Sequence, residues 1–272
     1  MTDRFSARFA ELAAKKEGAF VPFVNLCDPD DETSLEILNT LADAGADAFE
    51  LGIPFSDPSA DGPVIELSAQ RALQNGATPK KCLAVLKRFR AAHPDMPVSV
   101  MLYINLVCAP GIETFFKETA EAGADAVLIP DLPASMRLAE PQWDRAAKNA
   151  GIALVAIVPP NADDDATRTI AHLTGGYTYL LSRAGITGTD RASGTPVHRI
   201  LEILEEEKAP APLLGFGVSK PEHVRAGLAA GAKGVIVGSA IVKIIENGLG
   251  DKKKMLENLS SYVKEMKAAT RS

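Results

Sequence analysis

The stretch "DAGADAFELGIP" (43–54) closes one kind of structure and opens another. A helical tail runs into Ala-Gly-Ala, and an apolar run follows at once. Glycine tolerates the left-handed backbone that ends an α-helix, so Gly45 reads as a helix stop and the residues after it as a strand. The phrase returns as "EAGADAVLIPDLP" (121–133) and "AAGAKGVIVGSA" (229–240), with a shorter copy in "NAGIALVAIVPP" (149–160). The strands are continuous apolar runs, as expected of a parallel sheet covered by helices. Between the copies lie stretches with a 3.6-residue apolar period, such as "TSLEILNTLADA" and "PVHRILEILEEE".

Four more runs read as strands: "AFVPFVNL" (19–26), "VSVMLYIN" (98–105), "YTYLLS" (177–182) and "PLLGFGV" (212–218). Eight strands alternating with helices over one domain-sized chain predict the α/β class and a single (β/α)8 TIM barrel spanning residues 1–272. The opening "MTDRFSARFAELAAKKEGAF" adds an extra amphipathic N-terminal helix. A doubly wound open sheet is the rival, but it usually carries G-x-G-x-x-G after its first strand. Here that turn is "NLCDPDDETS", which has no glycine.

Composition narrows the function. Of 272 residues 46% are hydrophobic and 24% charged, ordinary for a globular protein with a sizeable core. A net charge of −6 argues against nucleic acid as a partner, which usually calls for a basic patch. No apolar run approaches 18 residues, so no membrane span is expected, and the N-terminus lacks the apolar core of a signal peptide. Cys27, Cys82 and Cys108 show no C-x-x-C spacing, which disfavours a disulfide framework or zinc site and favours a cytoplasmic home. The aspartates of "NADDDATRT" (161–169) read as a helix cap and not as a metal site. The four histidines are scattered and read as surface residues, and "EEEK" (205–208) and "KKK" (252–254) as solvated faces.

In a barrel the chemistry sits at the C-terminal ends of the strands. Three late ends are glycine-rich: "SRAGITGTDRAS" (182–193), "GFGVSKPEH" (215–223) and "VGSAIVK" (237–243). Gly217 and Gly238 follow strands 7 and 8, where backbone N–H groups and a short helix N-terminus often hold phosphate, with Ser239 adding a hydroxyl. Any single glycine there reads as a tight turn; the three loops together favour phosphate. Tyr177 and Tyr179 point to one side of strand 6, and Tyr179 near the rim could orient a ligand. Phe23, near the end of strand 1, could wall an apolar site.

"FELGIPFSDPSADGP" (49–63) places Glu50 on strand 2 and Asp61 in the loop beyond it. Burial would raise the pKa of Glu50, which suits proton transfer near neutral pH. Asp61, between Ala60 and Gly62 in a loop that reads as mobile, is expected to stay ionised and to face developing positive charge. The residues alone leave open whether Glu50 is catalytic or half of a buried ion pair with an arginine.

These motifs, together with "GYTYLLSRAGITGT", closely resemble the tryptophan synthase alpha chain family, and the likeness runs over nearly the whole length. The resemblance implies a lyase of tryptophan biosynthesis that cleaves indole-3-glycerol phosphate to indole and glyceraldehyde 3-phosphate, with no metal and no organic cofactor. By the motif match Glu50 and Asp61 are its catalytic pair. Tyr179 lies beside the reaction centre, and Thr187 and Gly188 lie in a lid loop at the phosphate. Phe216, Gly217, Gly238 and Ser239 contact phosphate, and Phe23 lines the indole pocket. It also implies an α2β2 heterotetramer with a pyridoxal-phosphate-bearing beta chain, for which Asp57 and Pro54 are candidate contacts. One departure stands out: the family often has Leu-Gly-Asp-Pro where this chain has Leu26-Cys27-Asp28-Pro29, so a positive φ there would strain Cys27. A stand-alone lyase without a partner, and a non-catalytic sugar-phosphate-binding regulatory barrel, are the alternatives.

Overall fold

A computed structural model describes residues 3–181, 196–215 and 217–271. The first half runs α1 (Arg4–Lys15), β1 (Ala19–Asn25), α2 (Asp31–Asp43), β2 (Phe49–Gly52), α3 (Pro63–Gln74), α4 (Pro79–Ala92), β3 (Val98–Met101), α5 (Ile104–Cys108), α6 (Ile112–Ala122) and β4 (Ala126–Leu128). The second half runs α7 (Ala134–Ala139), α8 (Gln142–Ala150), β5 (Ala153–Val158), α9 (Asp164–Leu173), β6 (Thr178–Leu181), α10 (Pro196–Glu206), β7 (Pro212–Gly215), α11 (Pro221–Ala229), β8 (Gly234–Val237), α12 (Ser239–Asn247) and α13 (Lys252–Ala268). The eight strands are parallel, pair in sequence order and close through β1 and β8 into a barrel. This is the (β/α)8 barrel with the expected extra N-terminal helix.

The repeated Ala-Gly phrase acts as read. Gly45, Gly123, Gly151 and Gly231 have φ of +110°, +99°, +73° and +109°, each ending a helix shortly before a buried strand. The aspartates of 163–165 begin α9, with Asp163 accepting from Ala166 N–H at 2.8 Å, so they are a cap. Strand 3 is shorter than expected. It stops at Met101, and Ile104, whose N–H is taken by Asp131 at 2.9 Å, starts a short helix. The apolar run "LYIN" conceals that break because periodicity cannot separate a buried strand from a buried helical turn. Nor are all four histidines surface groups: His93 is half-buried, its ring 4.7 Å from that of Phe89.

Apolar packing falls into two shells. One lies between barrel and helices, around Leu38, Leu41, Phe49, Leu86, Phe89 and Phe116. The other fills the barrel, with Val21, Phe23, Leu128, Val155, Tyr177 and Tyr179, and is joined by Phe5 and Leu12 of α1. Polar joints hold the N-terminal face of the barrel. Asp125 binds Arg4 at 2.6 Å, Arg90 at 2.8 Å and the N–H of Val98 at 2.9 Å, tying α1 and α4 to β3 and β4. Lys267 of α13 likewise meets Glu17 at 2.9 Å and Asp47 at 3.0 Å.

Removing Asp125 leaves two neighbouring guanidinium groups without their shared counter-charge. Asp125→Ala is expected to lower unfolding stability by about 2–3 kcal/mol, since breaking a partly buried ion pair exposes the cost of the remaining charges. A urea unfolding curve with an unchanged midpoint would show that the joint contributes nothing.

Candidate active site

Glu50 lies at the second position of β2, with its side chain inside the barrel and 1% of its surface exposed. Among the described residues no cation meets it. The hydroxyl of Tyr177, one residue ahead of β6, donates to Glu50 Oε1 at 2.5 Å, and Ser99 Oγ of β3 lies 3.2 Å from that same hydroxyl. The register pairs Glu50 directly with Ser99. A tyrosine thus stands where the sequence left room for an arginine. Burial pushes the Glu50 carboxyl up to about 7; the Tyr177 hydrogen bond opposes that rise, and the negative charge of Asp61 adds to it.

Asp61 sits at the C-terminal end of the barrel, in the loop between β2 and α3. It is anchored more firmly than its small neighbours suggest. Tyr103 donates its hydroxyl to Asp61 Oδ2 at 3.0 Å and accepts from the N–H of Ala60 at 3.0 Å. The ring of Tyr103 stacks on Phe55 with centroids 5.4 Å apart. Asp61 also departs from the expectation of a plainly ionised group. Half-burial lifts it to about 6, against the hydrogen bond from Tyr103 and with help from the charge of Glu66. It therefore keeps its proton to higher pH than an exposed aspartate does.

Phe23 and Tyr179 complete the inner wall, both buried. Glycines make room for them. A Cβ at Gly52 would come within 2.8 Å of Phe23 Cζ, and one at Gly238 within 3.3 Å of Phe23 Cδ1, so the ring fills space that side chains at both strand ends would take. A Cβ at Gly215 would collide with the hydroxyl of Tyr179. Gly238 caps α12, a nine-residue helix whose N-terminus has no side-chain cap, and exposed Ser239 opens it. Gly217 is exposed with φ +75°. The structure thus brings Glu50, Asp61, Phe23, Tyr179, Gly217, Gly238 and Ser239 to the interior and C-terminal end of one barrel. Thr187, Gly188 and Phe216 lie outside the described residues. In the loop after β2 Asp57 is exposed and Pro54 is buried.

Beside the site, Asn25 donates to Ile65 O at 3.3 Å and to Ser68 Oγ at 3.1 Å, Ser68 donates to Asp28 at 2.6 Å, and Arg71 grips Asp28 through two bonds of 2.7 Å. This chain of contacts fastens α3, and so the Asp61 loop, to the end of β1. Cys27 has φ +63°, the strained geometry foreseen where the family often has glycine. Its sulfur lies 3.6 Å from that of Cys82, and both are free thiols.

The family model of the tryptophan synthase alpha chain matches residues 9–271. The chain belongs to the tryptophan synthase alpha chain family. It is 51% identical to the tryptophan synthase alpha chain of Photobacterium profundum over 269 residues, covering 99% of each chain. It is 50% identical to that of Francisella tularensis subsp. tularensis over 270 residues, again covering 99% of each. Among solved structures it is similar to tryptophan synthase subunit alpha from Legionella pneumophila str. Paris, with TM-score 0.88, 27% identity and 99% of both chains covered. It is also similar to a chain from a study of the tryptophan synthase a2b2 complex of Pyrococcus furiosus, with TM-score 0.81, 35% identity and 92% and 98% covered.

Tyr177 and Tyr103 hold the two carboxyls, and neither partnership is directly legible in the sequence. A signal existed for the first: a serine interrupts the apolar strand "VSVM", and Tyr177 shares a strand face with Tyr179. Nothing local marks Tyr103, which meets Asp61 across 42 residues.

The raised carboxyl of Glu50 makes a stability prediction whose sign follows from linkage. Its folded value of about 7 exceeds its ordinary 4.5, so the native state binds the extra proton and loses stability as pH rises between those values. At 1.36 kcal/mol per pH unit the full effect is about 3 kcal/mol. Glu50→Gln is therefore expected to unfold at higher urea concentration than the unaltered protein at pH 8, with the two curves converging near pH 4.5. Parallel curves across that range would contradict the burial of an acid.

Proposed function

We propose that Glu50 and Asp61 carry the cleavage of indole-3-glycerol phosphate to indole and glyceraldehyde 3-phosphate, the lyase step of tryptophan biosynthesis that belongs to this family. The single observation behind this reading is a buried carboxyl held by a tyrosine and, among the described residues, by no cation, facing a second carboxyl in the same barrel mouth.

The retro-aldol step needs a proton placed on indole C3 and a proton taken from the side-chain hydroxyl next to the ring. A carboxyl at about 7 is available as an acid near neutral pH. Glu50 gives its proton to C3, becomes a carboxylate and then accepts the hydroxyl proton as the carbon–carbon bond breaks, so the acid is regenerated. Asp61, ionised above about 6, accepts from the indole N–H and stabilises the cationic tautomer formed when C3 is protonated. The deeper burial of Glu50 keeps its proton to higher pH than Asp61 keeps its own, the order that the two roles require. The indole ring packs against Phe23 and Tyr179, and the phosphate lies at Gly217, Gly238 and Ser239, with Thr187, Gly188 and Phe216 as further contacts by motif. Binding the remote phosphate orients the reacting bond.

The partner is a beta chain that bears pyridoxal phosphate, in an α2β2 assembly like the a2b2 complex named for the Pyrococcus furiosus relative. Exposed Asp57, in the loop that leads to Asp61, is the contact favoured here. The compartment favoured is the cytoplasm. Among the described residues no helix is long and apolar enough to cross a membrane, and three free thiols suit a reducing environment.

The deciding experiment is single-turnover indole formation with and without a beta chain. Glu50→Gln should abolish nearly all turnover, by about 10²–10⁴-fold, while substrate still binds; Asp61→Asn should cost about 10²–10³-fold. Full turnover in Glu50→Gln would overturn the mechanism. For the phosphate site, Gly238→Asp is expected to weaken binding of glycerol 3-phosphate through charge repulsion and crowding against Phe23. Gly238→Ala separates the two effects, and equal affinities in all three proteins would remove Gly238 from the site.

A further inference from the structure

The lower barrel is built of small residues. Ala19, Ala48 and Ala126 are buried there, Ala126 pairs with Ala153, and Gly176 and Gly234 carry no side chain. These residues do not fill the interior themselves. The ring of Phe5 does so from outside the barrel, with 1% of its surface exposed. A Cβ built on Gly176 would stand 3.6 Å from Phe5 Cδ2, 3.5 Å from Ala126 Cβ and 3.4 Å from Ala153 Cβ, which places the ring at the floor. The ring centroid of Phe5 lies 5.2 Å from that of Tyr177, whose hydroxyl is the one that binds Glu50. Phe5 is itself fixed by its neighbour Arg4, pinned to Asp125 at 2.6 Å and to Pro94 O at 2.7 Å. Phe9, one turn along α1 with its ring 6.1 Å from Phe5, lines a cavity of about 990 Å³ at the N-terminal face.

We propose that α1 forms the floor of the active site: Phe5 seals the barrel beneath Tyr177, keeps water from Glu50 and holds the hydroxyl that orients it. Phe5 is thus a positioning residue acting through Tyr177, and the inference rests on the reading of Glu50 as the proton carrier. Among the described residues, the titratable groups facing Glu50 are Tyr177 just ahead of β6, Tyr179 on β6 and Asp61 from the loop after β2. Helix α1 presents a ring and no charge. Its effect on Glu50 is through exclusion of water, which disfavours the ionised carboxyl.

The test measures the pH dependence of indole formation by the full chain assembled with a beta chain, for the unaltered protein, Phe5→Ala, Phe5→Leu, Tyr177→Phe and Glu50→Gln. In Phe5→Ala the alkaline limb set by Glu50 is expected to move toward lower pH as water reaches the carboxyl, with kcat reduced about 10- to 100-fold through misplacement. Phe5→Leu should show a smaller displacement of the same sign, and it decides the matter if Phe5→Ala does not fold. Tyr177→Phe, which removes a donor to the carboxylate, should move the limb the opposite way. Glycerol 3-phosphate affinity should stay unchanged in both Phe5 variants, which a general loosening of the fold would not allow. If Glu50→Gln is inactive but the limb stays in place in the Phe5 variants, the floor has no such role. If Glu50→Gln turns over at the unaltered rate, the reading of Glu50 fails first and this inference with it.

Discussion

The hydrogen bond between Tyr177 and Glu50 is the contact on which the rest of the site depends. A carboxyl placed inside an apolar barrel must find a cation, lose its proton less readily, or be held by hydrogen bonds. Among the described residues no cation is supplied, and the donor is a tyrosine whose own surroundings are as dry as those of the acid. The interaction is strong enough to orient Glu50 and too weak to cancel the effect of burial. The result is an acid that titrates near neutrality. An arginine in the place of Tyr177 would hold the carboxyl more firmly and leave it permanently ionised.

The second carboxyl has a different setting, and that difference separates the two roles. Asp61 is only half-buried, receives a hydrogen bond from Tyr103 and titrates lower than Glu50. Its position depends on the β2–α3 loop, which is fastened at both ends. Tyr103 grips the loop itself, while Asn25, Ser68, Asp28 and Arg71 bind α3 to the end of β1. The strained backbone of Cys27 lies beside that second joint, where a left-handed turn leads from the strand to Asp28. Strain of about 1–2 kcal/mol is sustained there because the surrounding contacts leave the chain no other course.

At the far end of the site, missing side chains matter as much as present ones. Phe23 lies between Gly52 and Gly238, and Tyr179 over Gly215. Each ring occupies volume that a Cβ would take. At the floor, Gly176 and a set of alanines line the space that Phe5 enters from α1, and there a Cβ would meet the ring at an ordinary contact distance of 3.6 Å. The barrel is therefore closed below by a residue that precedes its first strand.

Much of this is legible in the sequence. The glycine stops at 45, 123, 151 and 231 and the apolar runs after them determined the alternation of helix and strand, because helix termination and burial of a continuous strand are local properties of the chain. The position of Glu50 at a strand and Asp61 in the following loop was equally readable, as was the strain at Cys27. Strand 3 ends before its apolar run does, since that run continues through a turn of helix. Pro54, read as a contact, proved buried. What the sequence could not state was which groups meet across the barrel. Tyr177 reaches Glu50 over 127 residues and Tyr103 reaches Asp61 over 42, while Phe5 comes from outside the strands altogether. Those meetings set the environment of each carboxyl, and so its pKa. Closure of the sheet alone brings these residues together, and desolvation is a property of the neighbours a group acquires in three dimensions.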